Sequence, residues 1–103
     1  MRGVGPPAPR AVFDDALEET HRRNRRRYAE TDGSTVYLAH SFRVLPAAHR
    51  LGLIAHELGH IVLFGRKHSE RDADAVAERL FGVSISYDRR WSGKGLQVGR
   101  LAW

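Results

Sequence analysis

No cysteine occurs among the 103 residues. That excludes a disulfide framework and a thiolate metal site, so a bound metal must be held by histidine and carboxylate. Long apolar runs are also missing, and nothing reaches the roughly 18 residues of a membrane span. The opening Met-Arg-Gly-Val-Gly-Pro-Pro-Ala-Pro-Arg lacks the apolar stretch of a signal peptide. A cytoplasmic protein without a membrane partner is the expectation. The length allows one small domain with a single modest core. Acidic residues are in the minority, 12 Asp and Glu against 17 Lys and Arg, for a net charge of +5 and a sequence pI near 10.4. This balance admits an acidic partner such as nucleic acid without identifying one.

What is present centres on residues 51–65, Leu-Gly-Leu-Ile-Ala-His-Glu-Leu-Gly-His-Ile-Val-Leu-Phe-Gly. On an α-helix, residues i and i+4 stand one above the other, so His56 and His60 can aim both imidazoles at one ion, with Glu57 about 100° round the axis. This is the His-Glu-x-x-His zinc arrangement, in which two neutral imidazoles grip the metal and the glutamate can take a proton from a water at the metal. Leu51, Ile54, Ala55, Leu58, Ile61 and Val62 repeat at helical spacing on the opposite side. Pro46 suits a first turn and Gly65 a stop, which predicts a helix of about 18 residues.

In chain order, the Gly- and Pro-rich residues 1–9 read as a flexible arm. A helix is expected over about 10–30, with Phe13, Leu17, Thr20, Asn24 and Tyr28 on one side. Its acidic residues (Asp14, Asp15, Glu18, Glu19) come early and its arginines (Arg22, Arg23, Arg25, Arg26, Arg27) late. That order complements the helix dipole, and Glu18 to Arg22 and Glu19 to Arg23 are favourable i,i+4 pairs. The arginine run therefore reads as a solvated helix end, with a nucleic-acid patch as the alternative. Thr31-Asp32-Gly33-Ser34 reads as a turn and residues 35–39 as a strand, a candidate edge for pairing with a substrate backbone.

After the metal helix, Ser69-Glu70-Arg71-Asp72 fits a capping box and starts a second helix at Glu70 that ends at Gly82. Glu70, Asp74 and Glu78 form an acidic ridge at i, i+4 and i+8 beside the apolar stripe Ala73, Val76, Ala77 and Leu80. A catalytic zinc takes three protein ligands and one open position. Glu70 is the candidate third ligand, and Asp74 can accept a hydrogen bond from the outer nitrogen of a ligand histidine. His68, Asp72 and His40 compete as ligands. In the tail, Val83–Tyr87 and Leu96–Val98 suit two short strands around the turn-rich Trp91–Gly95, a candidate hairpin. Tyr87 is a candidate oxyanion stabiliser or a packing tyrosine, and Trp91 and Trp103 could seal a small core or cover a cleft.

Leu53 to His60, followed by Glu70-Arg71-Asp72-Ala73-Asp74-Ala75-Val76-Ala77, resembles the gluzincin zinc metallopeptidases, particularly the ImmA/IrrE type and the short minigluzincins. The likeness covers about residues 35–82. It implies zinc held by His56, His60 and Glu70, Glu57 as general base, and Asp74 as support behind a ligand histidine. The His60 to Glu70 interval is short, and a chain of this length lacks the lower subdomain of larger members. In minigluzincins, which share that lack, the C-terminal segment can occupy the cleft and keep the protein latent; here that segment would be Ser92 to Trp103.

The fold class expected is therefore α+β: a small zincin-like domain over residues 10–103 with a backing helix, a short β-sheet, the His-Glu-x-x-His helix and a glutamate helix. The expected function is zinc-dependent hydrolysis of a peptide or protein substrate. The alternative is a zinc-loaded or degenerate domain that binds DNA or a regulator through its basic helix and turns nothing over.

Overall fold

The structure is a computed structural model that describes residues 10–24, 27–90 and 95–101. The arm expected over residues 1–9, Arg25 and Arg26, and both tryptophans fall outside these residues. In order, the elements are β1 (Arg10–Phe13), α1 (Asp15–Asn24), β2 (Ala29–Thr31), β3 (Thr35–Leu38), a 3₁₀ turn (His40–Val44), α2 (Ala47–Val62), α3 (Glu70–Phe81), β4 (Val83–Asp88) and β5 (Leu96–Leu101). The architecture is α+β, with three α-helices and two small sheets among the described residues. None of these helices is long and apolar enough to cross a membrane.

The first sheet has the order β1-β3-β2. β1 runs parallel to β3, with Arg10 opposite Thr35 and Phe13 opposite Leu38, and β2 runs antiparallel, with Ala29 opposite Leu38 and Thr31 opposite Val36. The second sheet is the antiparallel hairpin β4-β5, from Val83 opposite Leu101 to Asp88 opposite Leu96. Helix α2 lies between them, packed against β5 and α3 and touching the first sheet chiefly through β2. Tyr28, Val36, Leu38, Phe42, Leu45, Leu53 and Leu96 form the main core; Ala55, Ala77 and Val83 form a smaller one under α3 and the hairpin.

Two expectations are corrected here. The helix expected over 10–30 is confined to Asp15–Asn24, because short strands claim both its ends. Asp14 caps it, its carboxylate accepting from the backbone N–H of Ala16 at 2.8 Å. The early-acid, late-base order does form ion pairs, Glu18 with Arg22 at 3.5 Å and Glu19 with Arg23 at 4.0 Å. Second, the strand at 35–39 is no edge. β3 sits in the middle of its sheet, hydrogen-bonded on both sides, and the edge strand beside α2 is β2.

The turn, the helix stops and the second helix form as their residues dictate. Asp32 accepts from the backbone N–H groups of Ser34 and Thr35 and from the Tyr37 hydroxyl, which hold its carboxyl well below the usual range. Gly65 takes φ +86° just past α2. At α3, the Ser69 side chain accepts from the Asp72 N–H at 3.1 Å, while Asp72 accepts from the Ser69 N–H at 2.9 Å. Ser69→Ala should cost ~1 kcal/mol, read as a melting temperature lower by roughly 4–8 °C.

Two glycines set how closely α2 is approached. A Cβ on Gly59 would stand 2.1 Å from the Ala73 carbonyl oxygen, so α2 and α3 cross backbone to backbone. A Cβ on Gly52 would stand 2.7 Å from the Gly99 nitrogen, so β5 lies equally close on another side.

Candidate metal centre

The α2–α3 crossing at Gly59 and Ala73 sets the residues on either side of it against one another. His56 and His60 project from successive turns of α2, and Glu70 is the first residue of α3. The Nε2 atoms of the two histidines are 3.1 Å apart. His56 Nε2 is 3.1 Å from Glu70 Oε1, and His60 Nε2 is 2.9 Å from Glu70 Oε2. These three side chains could hold a metal ion, their ligand atoms all lying within 4.8 Å of one another. The fit is good: two nitrogens at that separation can each stand ~2.0 Å from one ion at an angle of about 100°, near the tetrahedral value. Two imidazoles and a carboxylate also suit a borderline cation better than a hard one.

Behind the ligands lies a supporting layer. The Nδ1–H of His56 donates to Asp74 Oδ1 at 2.6 Å, and the Tyr87 hydroxyl donates to the other oxygen of the same carboxylate. His60 Nδ1 faces His68 Nε2 at 2.9 Å, and His68 Nδ1 faces the Arg66 carbonyl at 2.7 Å. Glu78, at the end of the acidic ridge, accepts from the Ile85 N–H at 2.8 Å and ties α3 to β4. The Tyr87 hydroxyl considered for oxyanion stabilisation is therefore held behind His56 by Asp74, and burial, helped by that hydrogen bond, pushes the phenol well above its ordinary range.

The competing ligands resolve differently. Asp72 is spent on the cap of α3, and His40 stacks on Phe13 and meets Asp15 at 2.6 Å, far along the chain from the site. His68 adjoins the site but outside the ligand group.

Burial and charge divide the roles of the polar groups. His56 is 1% exposed. Burial pulls its imidazole down, but the Asp74 hydrogen bond and the charges of Glu57, Asp74 and Glu70 outweigh that and leave it above its ordinary value. His60 is drawn below its ordinary value, chiefly by burial. Glu57, 7% exposed, is pushed up to about 7 by burial, with Glu70 and Glu30 adding to the effect and His56 opposing it. This raised carboxyl lines the same cleft as the three side chains that could hold a metal ion.

These groups open on a cleft of about 1050 Å³ between α2 and the β2–β3 hairpin. Ala29 to Gly33 form one wall, and β2 is an edge strand among the described residues. Phe64, 65% exposed, stands at one end with its ring on Gly33, where a Cβ would come within 2.2 Å of the ring. Gly95, Leu96 and Gln97 also line the cleft. Of the segment Ser92–Trp103 expected to fill the cleft, Leu96–Leu101 form strand β5, paired to β4 and packed on α2. A tail that blocks the cleft must act through residues 95–97 or through residues outside those described.

Sequence reasoning missed the cleft wall, because Ala29-Glu30-Thr31 is too short to show alternation, and it missed the place of His68, because a turn residue has no periodicity to mark it. Compared with protein-family models, with curated proteins and with solved structures, the chain matches none of them.

Proposed function

We propose that the protein is a zinc-dependent metallopeptidase of gluzincin type, built on a minimal zincin-like domain. The observation that carries this function is the convergence of His56 Nε2, His60 Nε2 and both Glu70 oxygens on one point, with the buried carboxyl of Glu57 beside them. His56, His60 and Glu70 hold the metal. When bound, zinc supplies Lewis-acid polarisation and lowers the pKa of a water towards 7. Glu57 would serve as the general base and acid, taking a proton from the attacking water and returning it to the leaving amine. Asp74 holds His56 in the tautomer that presents Nε2, and Tyr87 fixes the orientation of Asp74. The free edge of β2, running beside the cleft, gives an extended substrate backbone N–H and C=O groups to pair with.

Metal content comes first as a test. The native chain purified without added zinc is expected to carry about one zinc per chain and to hydrolyse an unstructured protein substrate in a chelator-sensitive way. Glu70→Ala, which leaves two ligands, is expected to lose most of that metal. No zinc in the native chain even after reconstitution would overturn the function. Stoichiometric zinc without hydrolysis would leave a metal-binding module.

A further inference from the structure

We propose that His68 is a positioning residue of the metal centre: anchored on the Arg66 carbonyl, it fixes His60 in the tautomer whose Nε2 is free to take the ion. The proposal rests on the metal-binding function above and assigns a role that the His-Glu-x-x-His pattern does not contain.

His68 lies half-buried in the turn between α2 and α3. Its Nδ1 is 2.7 Å from the Arg66 carbonyl oxygen and its Nε2 is 2.9 Å from His60 Nδ1. A carbonyl only accepts, so His68 Nδ1 carries the hydrogen. A neutral imidazole has one N–H, so His68 Nε2 presents a lone pair, and His60 Nδ1 must be the donor to it. His60 Nε2 is then left with its lone pair directed at Glu70 and His56.

The direction of this relay matters because Glu70 competes with it. Glu70 Oε2 lies 2.9 Å from His60 Nε2, and a carboxylate is the strongest acceptor within reach. Without His68, His60 is drawn to place its N–H inward and spend it on Glu70, tying two ligands to each other where the ion belongs. With His68 in place, that inward tautomer would set two imidazole lone pairs against each other at 2.9 Å, whereas the lone pairs of His60 and His56 Nε2 that face each other at 3.1 Å in the outward tautomer are the pair an ion would draw together. The two metal histidines are thus oriented by unlike partners, His56 by a carboxylate and His60 by a neutral imidazole.

The test uses the full chain as native protein, His68→Leu and His68→Gln. Leucine removes the acceptor, whereas the glutamine carbonyl can replace it. Nitrogen-15 NMR of the metal-free proteins, recorded above the titration range of histidine, reports which nitrogen of His60 carries its hydrogen. Zinc affinity is measured separately by competition with a chelating indicator. The native chain is expected to show Nδ1–H on His60, His68→Leu to shift towards Nε2–H, and His68→Gln to keep the native form. Zinc affinity should fall ~10–100-fold in the leucine variant and stay within about threefold in the glutamine variant. Nε2–H on His60 in the native metal-free chain would overturn the proposal. So would leucine-variant affinity equal to native, or a loss of affinity with the tautomer unchanged, which would make His68 a ligand or a structural residue. A native chain that shows the expected tautomer yet binds no zinc would defeat the metal function and leave the relay standing.

Discussion

Glu57→Gln is expected to lower peptide hydrolysis ~10³-fold, a barrier about 4 kcal/mol higher, with zinc stoichiometry unchanged. The glutamine has the same shape and leaves His56, His60 and Glu70 in place, but its amide cannot take a proton from water. Turnover equal to native would remove Glu57 from the mechanism. A second readout comes from the metal-free chain. Burial raises the Glu57 carboxyl from 4.5 to about 7, so across that interval the folded protein binds more protons than the unfolded one. Stability then falls as pH rises from about 4.5 to about 7, by on the order of 3 kcal/mol from this group. The glutamine variant should lack that component, a difference measurable by denaturant titration of both metal-free proteins at several pH values.

Gly59→Ala is expected to destabilise the fold and empty the metal centre together. Helix propensity alone argues the other way, since alanine gains about 1 kcal/mol over glycine inside a helix. The crossing decides the sign. The new Cβ would sit 2.1 Å from the Ala73 carbonyl oxygen, and neither helix backbone can yield without the other. Overpacking of a tight crossing costs roughly 1–3 kcal/mol, and α3 must move away from α2. Because Glu70 and Asp74 flank Ala73 on α3, the same shift withdraws Glu70 from His56 and His60 and Asp74 from behind His56. Thermal unfolding and zinc competition on the same sample check both effects. A variant as stable as native, with native zinc affinity, would show that the crossing adapts.

The parts of this structure that were legible are those written in local signals. His56, Glu57 and His60 could be placed on one helix because a four-residue spacing has a single geometric meaning there. Glu70 and Asp74 followed from the box formed by Ser69 and Asp72, which fixes the first residue of α3 and therefore the phase of everything after it. The candidate hairpin over Val83–Tyr87 and Leu96–Val98 rested on β-branched and aromatic residues flanking a turn-rich link, and its strands run on to Asp88 and Leu101.

The segment from Arg10 to Thr31 was misjudged in extent. The Glu18–Arg22 and Glu19–Arg23 pairs correctly marked a helix, but charge order carries no stop signal. Strands as short as Arg10–Phe13 and Ala29–Thr31 exist only because β3 is there to pair with them. Tertiary pairing of that kind leaves no trace in local propensity. The same cause hid the cleft wall, and it made β3 look like the edge when β2 occupies that place. Likewise, nothing in the sequence around His68 fixes it behind His60; that follows only from how the turn between α2 and α3 closes.

The contact between Gly52 and Gly99 bears on the order in which the molecule assembles. These residues are nearly half the chain apart, and β5 supplies Leu96 to the main core as well as a backbone surface for α2. During synthesis, α2 emerges long before that surface exists. Until then the part of α2 that β5 covers is left to water. Joining such distant segments is slow, because the loop must close before the contact gives anything back. The helix that carries His56 and His60 is thus made early, and the backbone surface of β5 that packs on it is made late.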